Sequence, residues 1–125
     1  MSFSPANSVV WVEMPVRDLD KAVAFYSSVM GYDMVAEEHA PYPMVNFPGG
    51  EKGVAGHLYV GTPAKAGSGP TTHFAIPDTV EEAAARCFEA GGSVIGDIVT
   101  IPPGRFQCAQ DPDGNAIGLF EPAKG

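Results

Sequence analysis

Gly53-Val-Ala-Gly-His-Leu-Tyr-Val-Gly61 is echoed by Gly114-Asn-Ala-Ile-Gly-Leu-Phe-Glu-Pro122. At the same spacing Leu19 matches Val80, Asp20 matches Glu81, Ala22 matches Ala83, Ala24 matches Ala85, Gly31 matches Gly92 and Val45 matches Phe106. The alignment runs without a gap from Leu19 to the end of the second copy, so the chain reads as one supersecondary unit written twice. Two copies are too few for a solenoid. The units are therefore expected to face each other across a cleft, and function is to be sought in what each copy points into it.

Hydrophobic periodicity supplies the content of each unit. Residues 9–16 alternate, with Val10, Val12, Met14 and Val16 on one face and Trp11, Glu13 and Pro15 on the other, which predicts a strand. Asp18 is an N-cap residue for a helix carrying Leu19, Ala22, Val23, Tyr26, Val29 and Met30 on one stripe, and Gly31 ends it. Strands are expected over 33–39, 43–47 and 54–60. After a small, glycine-rich linker at 62–70 the plan repeats. A strand over 71–76 leads to the capping box Thr79-Val-Glu-Glu82, a helix with Val80, Ala83, Ala84 and Cys87 inward, and strands over 94–99, 106–110 and 116–121. Asp111-Pro-Asp-Gly-Asn115 is turn chemistry. The fold class is α+β: one domain over residues 1–125, with tandem β-α-β-β-β units at 9–61 and 71–122 and two outer helices.

Composition narrows the function classes. A net charge of −8 argues against nucleic acid as a partner and suits a soluble surface or a cationic ligand. The start, Met1-Ser-Phe-Ser-Pro-Ala-Asn7, has neither the basic nor the apolar stretch of a signal peptide, and no segment is apolar enough to span a membrane. Cys87 and Cys108 read as reduced, buried thiols. A cytoplasmic protein is the expectation.

The segment Val12-Glu-Met-Pro-Val-Arg-Asp-Leu-Asp-Lys-Ala-Val-Ala-Phe-Tyr26, closing at Met30-Gly31, resembles the opening of the vicinal oxygen chelate superfamily, and the Asp111-Pro-Asp-Gly-Asn115 turn is its second hallmark. That superfamily includes glyoxalase I, extradiol dioxygenases, fosfomycin-resistance enzymes and bleomycin-resistance proteins. One scaffold there carries many activities. The resemblance implies a homodimer, and a cleft with up to four metal ligands, His or Glu, from the first and last strands of each unit. Carried onto this chain those places fall at Trp11, His57, Thr71 and Gly118. Only one is a ligand residue, so no metal cofactor is expected.

Face counting puts Trp11, Glu13, His57, Tyr59, His73 and Phe120 in the cleft, and these six are the expected ligand-binding residues. A one-residue slip of the first strands pairs Glu13 with His73. Trp11, Tyr59 and Phe120 offer an aromatic wall, and Gly118 leaves space for a ligand group or for Trp11 to swing into. The favoured reading is a metal-free protein that binds a small molecule. The alternative is an enzyme. It would be either a lyase or dioxygenase holding a divalent metal on Glu13, His57 and His73, or a metal-free catalyst with His57 or His73 as base and Glu13 as partner. A regulatory module with a collapsed cleft is the third reading. His39, beside Glu37 and Glu38, is expected on a solvated hairpin. There is no nucleophile elbow, phosphate loop or zinc-type cysteine pattern.

Overall fold

The computed structural model describes residues 2–37, 40–51 and 53–124. His39 and Glu38 lie outside the described residues, and with them the end of the strand expected over 33–39. The element order is β1 (Trp11–Val16), α1 (Leu19–Met30), β2 (Val35–Ala36), β3 (Met44–Asn46), β4 (Ala55–Val60), β5 (Thr72–Ala75), α2 (Val80–Glu89), β6 (Ser93–Ile101), β7 (Gly104–Gln110) and β8 (Ala116–Pro122). This is the expected α+β plan of two β-α-β-β-β units. Each unit forms its own four-stranded sheet, in the orders β1-β4-β3-β2 and β5-β8-β7-β6. No helix among the described residues is long and apolar enough to cross a membrane.

Both helices start at their N-caps, and α1 stops at its capping glycine. Asp18 accepts a hydrogen bond from the Lys21 amide, and Gly31 closes α1 in the left-handed region at φ 73°. The Thr79 hydroxyl accepts from the Glu82 amide at 3.2 Å and donates to the Glu82 carboxylate at 2.9 Å. In α2 the Glu82 side chain thus reaches the capping hydroxyl. Glu121 of β8 adds a second acceptor, taking the Val80 amide at 3.0 Å, so a negative group sits where the helix dipole favours one.

The helix-facing sides of both sheets merge into one core. Met14, Val16, Phe25, Tyr26, Val29 and Leu58 from the first unit meet Ile76, Val80, Ala83, Ile117 and Leu119 from the second. Each Val, Leu, Ile, Phe or Met side chain among them, fully buried, contributes about 1.5–3 kcal/mol relative to exposure. Tyr26, Phe47 and Phe74 form an edge-to-face and tilted triangle, with centroids 5.0–5.5 Å apart, across the seam.

One polar post runs through this core. The Asp111 side chain accepts from the Asp113 and Asn115 amides at 2.9 Å, from Asn115 Nδ2 at 3.0 Å and from the Tyr26 hydroxyl at 2.7 Å. Met14 Sδ also lies 3.1 Å from that hydroxyl, but a phenol has one proton and the nearer carboxylate takes it. Burial first, then Asp111, hold the Tyr26 phenol well above its ordinary pKa. Asn115 also donates to the Pro15 carbonyl at 2.9 Å, and Arg17 meets Asp113 at 3.1 Å. The Asp111–Asn115 turn of the second unit therefore pins the first.

The register corrects the repeat. His57 sits opposite Asn46 and Tyr59 opposite Met44, whereas Gly118 sits opposite Cys108 and Phe120 opposite Phe106. Val45 is thus equivalent to Gln107 and not to Phe106. The two copies are not gap-free, because turns before and after the third strand of each unit differ by one residue in compensating directions. The slip of the first strands is as expected: Glu13 lies beside His57, and His73 beside Gly118.

Candidate functional site

The cleft-facing surface of the first sheet is built around His57. Across the β1–β4 pairing, Trp11, Glu13 and Pro15 share a face with Ala55, His57 and Tyr59, and β3 adds Met44 and Asn46. His57 is only 4% exposed, because Trp11, Tyr42 and Tyr59 ring it at centroid distances of 5.9, 6.5 and 6.0 Å. Trp11 Nε1 donates to His57 Nδ1 at 2.9 Å. An indole N–H is a donor only, so Nδ1 is unprotonated and the imidazole proton sits on Nε2. His57 is therefore a neutral ring whose remaining N–H points at Glu13, with Nε2 3.3 Å from Oε1.

That approach is long and falls outside hydrogen-bond geometry, leaving His57 Nε2 a buried donor short of a partner, as Asn46 Oδ1 is a buried acceptor short of one. Glu13 is the accessible group of the pair, its side chain 59% exposed. Tyr42 donates to the same Oε1 at 3.2 Å. Desolvation and then the Glu13 carboxylate raise the Tyr42 phenol above its ordinary pKa. Beside Glu13 an open recess of about 420 Å³ is lined by Tyr42, Pro43, Tyr59 and Val60.

The second sheet presents a different surface. His73 lies over Gly118: a Cβ on that glycine would fall inside the imidazole. The ring is flanked edge-on by Phe106 at 4.9 Å and Phe120 at 6.2 Å, and those two phenyl rings stack with an 11° interplanar angle. Cys108, half-buried, lies opposite Gly118 on the same face. The space expected to be open above Gly118 is filled, and by His73 rather than by Trp11.

Of the six expected residues, then, Trp11, Glu13, His57 and Tyr59 come together on the first sheet, while His73 and Phe120 come together on the second. Among the described residues no hydrogen bond or ring contact joins the two clusters. An open groove of about 640 Å³ between β1 and β5 has Trp11, Glu13 and His73 in its lining. The aromatic wall of Trp11, Tyr59 and Phe120 is thus two walls. Sequence reasoning missed Tyr42, Asn46 and Phe106. Each faces an expected site residue across an antiparallel pair or from the turn leading into one, and the register was the missing signal.

The residues do not fit the metal that the resemblance implies. The pairing moves the first-strand ligand places from Trp11 and Thr71 to Glu13 and His73, which restores donor types. Even so, no three His, Cys, Asp or Glu side chains among the described residues could hold an ion together. The decisive obstacle is the tautomer. A ligating imidazole presents a bare nitrogen and donates through the other, whereas His57 presents Nε2–H and accepts from Trp11 at Nδ1. The same bond occupies the lone pair that His57 would need to act as a base.

The fold and this pair of faces define a two-unit cleft protein of the glyoxalase type. A model of the Glyoxalase/Bleomycin resistance protein/Dioxygenase superfamily matches residues 8–119, and the chain belongs to that superfamily. It is 30% identical over 124 residues to "Putative glyoxylase CFP32" of Mycobacterium bovis, covering 94% of this chain and 45% of that protein, so it spans less than half the length of this relative. A glyoxalase/bleomycin resistance protein from Albidiferax ferrireducens T118 has the same fold, with TM-score 0.72 and 20% identity over 94% of this chain and 100% of that one. TnmS3, an antibiotic binding protein from Streptomyces sp. CB03234, is similar at TM-score 0.64 and 29% identity, covering 96% of this chain and 100% of that one.

Proposed function

We propose that this protein binds a small organic molecule on its cleft-facing sheets and does so without a metal ion. The observation that carries the reading is the Trp11–His57 hydrogen bond, which engages the Nδ1 lone pair that a metal ion or a substrate proton would need and so supports His57 as a neutral donor. What remains is recognition chemistry: aromatic faces from Trp11, Tyr42, Tyr59, Phe106 and Phe120, a carboxylate at Glu13, and underused polar atoms at His57 Nε2 and Asn46 Oδ1. The likeness to an antibiotic binding protein at 29% identity supports the same class of ligand. The test is elemental analysis of untagged protein, with a ligand screen read by Trp11 fluorescence. About one equivalent of a transition metal, lost on His57→Ala, would overturn the reading.

A homodimer is the second part of the proposal. Ile95, Val99 and Ile101 of β6 are 37–44% exposed on the open face of the second sheet. The two cleft surfaces of one chain form separate clusters, so a second copy laid across them would complete a closed site. Sedimentation as a monomer at micromolar concentration removes this part and leaves the ligand reading intact.

A further inference from the structure

We propose that Glu13, flanked by the rings of Tyr42 and Tyr59, is the binding group for an organic ammonium ion. The inference rests on the small-molecule reading above and names the ligand class for the first sheet. Its starting point is a charge count around one carboxylate. His57, the only group among the described residues in salt-bridge reach of Glu13, is neutral because its Nδ1 is committed to the Trp11 N–H. Protonating that nitrogen would break the bond. The three arginines of the sequence are engaged elsewhere: Arg17 with Asp113, Arg86 with Asp78, and Arg105 with Glu81 and Glu121. Among the described residues no lysine pairs with Glu13 either. Among the described residues the carboxylate therefore carries an uncompensated charge, held in place by the Tyr42 hydroxyl.

Its surroundings select the kind of cation. An inorganic ion needs several oxygen or nitrogen donors converging on one point, and among the described residues no three His, Cys, Asp or Glu side chains converge in that way. The recess instead offers aromatic surface. Tyr42 and Tyr59 stand 6.0 Å apart at 64°, with Pro43 and Val60 completing an apolar rim. Ring faces attract a positive charge spread over alkyl groups, which costs little to desolvate. The partnerless His57 Nε2–H, in a side chain 5% exposed, lies 3.3 Å from this carboxylate and is a donor left over for a ligand seated beside it.

The experiment uses the full chain and two probes of equal shape, choline and its uncharged carbon isostere 3,3-dimethylbutan-1-ol, titrated by calorimetry. Choline is expected to bind at least about tenfold more tightly, with a preference that shrinks as salt rises. Glu13→Gln should erase the preference, and Tyr42→Leu should weaken it several-fold while Tyr42→Phe, which keeps the ring, retains most of it. Thermal melts confirm that each variant folds. Equal affinity for the two probes, or an undiminished preference in Glu13→Gln, overturns the inference. If uncharged aromatic molecules bind and quench Trp11 while Glu13→Gln changes nothing, the ammonium reading fails and the broader binding reading stands. If no ligand of either kind perturbs Trp11, both fail.

Discussion

The two units share a backbone plan and differ in what they place at the same points of it. In the first, Glu13 and His57 stand side by side beneath Trp11, Tyr42 and Tyr59, and the surface is polar and negatively charged. In the second, His73 and Gly118 occupy the equivalent pair, and the missing side chain lets the imidazole lie over Gly118 with two phenyl rings beside it. Duplication supplied two sheets of one geometry. Different residues at those places made the first surface polar and the second aromatic. The junction is equally unequal, since the Asp111–Asn115 turn exists only in the second unit and reaches across to Tyr26 and Pro15 of the first.

The largest effect is expected where that junction is cut. Asp111 is 4% exposed and satisfies four donors, so Asp111→Ala strips the acceptor from two backbone N–H groups and from one N–H of the Asn115 amide, and leaves the Tyr26 hydroxyl only the weak acceptor Met14 Sδ. A loss of about 3–5 kcal/mol in denaturant unfolding is expected, because one partner of a buried charged network is removed while the others stay. Retained stability would mean that the units cohere through apolar packing alone.

Next comes Gly118→Ala. The new methyl group must evict the His73 ring, and repacking against Phe106 and Phe120 should cost about 1–3 kcal/mol. The nuclear magnetic resonance signals of His73 should move while those of His57 stay. Movement of both would show that the two faces are coupled, against the separate clusters described above.

Thiol chemistry separates the cleft side from the helix side of the second unit. Cys87 is fully buried, and burial, with Asp111 adding to it, pushes its thiol up to about 11. Cys108 is half-buried on the cleft face. Iodoacetamide at neutral pH should modify Cys108 first and leave Cys87 intact in the folded protein, as peptide mass spectrometry would show. Equal labelling would count against the packing of α2 on its sheet.

The smallest effect is electrostatic. The Val80 amide and then Arg105 hold the Glu121 carboxyl below its ordinary value of 4.5, and Arg105 does the same for Glu81. A folded-state pKa below the unfolded one contributes stability that is present above 4.5 and is lost as pH falls through the lower folded values. Acidification should therefore loosen the first turn of α2, seen as a shift of the Val80 amide resonance. A Val80 resonance that stays put down to about pH 3 would remove Glu121 as its cap.

Much of this was legible in the chain itself. Asp18, Gly31 and the Thr79 capping box set the starts of both helices and the end of the first, and alternation in β1, β4, β5 and β8 told which side of each strand faces a helix. Local periodicity and capping are properties of consecutive residues, so one sequence suffices to read them. The family followed from two motifs.

The site was legible only as membership of a face. Whether Trp11 or Glu13 lies beside His57, and whether Val45 or Met44 corresponds to Phe106, depends on strand register, and a slip of one residue reverses the answer. The sequence by itself determined the two units, their capped helices, the inward faces and the acidic balance. Tertiary structure alone decided that Trp11 donates to His57, that His73 fills the hollow above Gly118, and that Tyr42 folds back onto Glu13. Those contacts join residues 29 to 46 positions apart in the chain, and only the pairing of β1 with β4 and of β5 with β8 brings such residues within reach of one another.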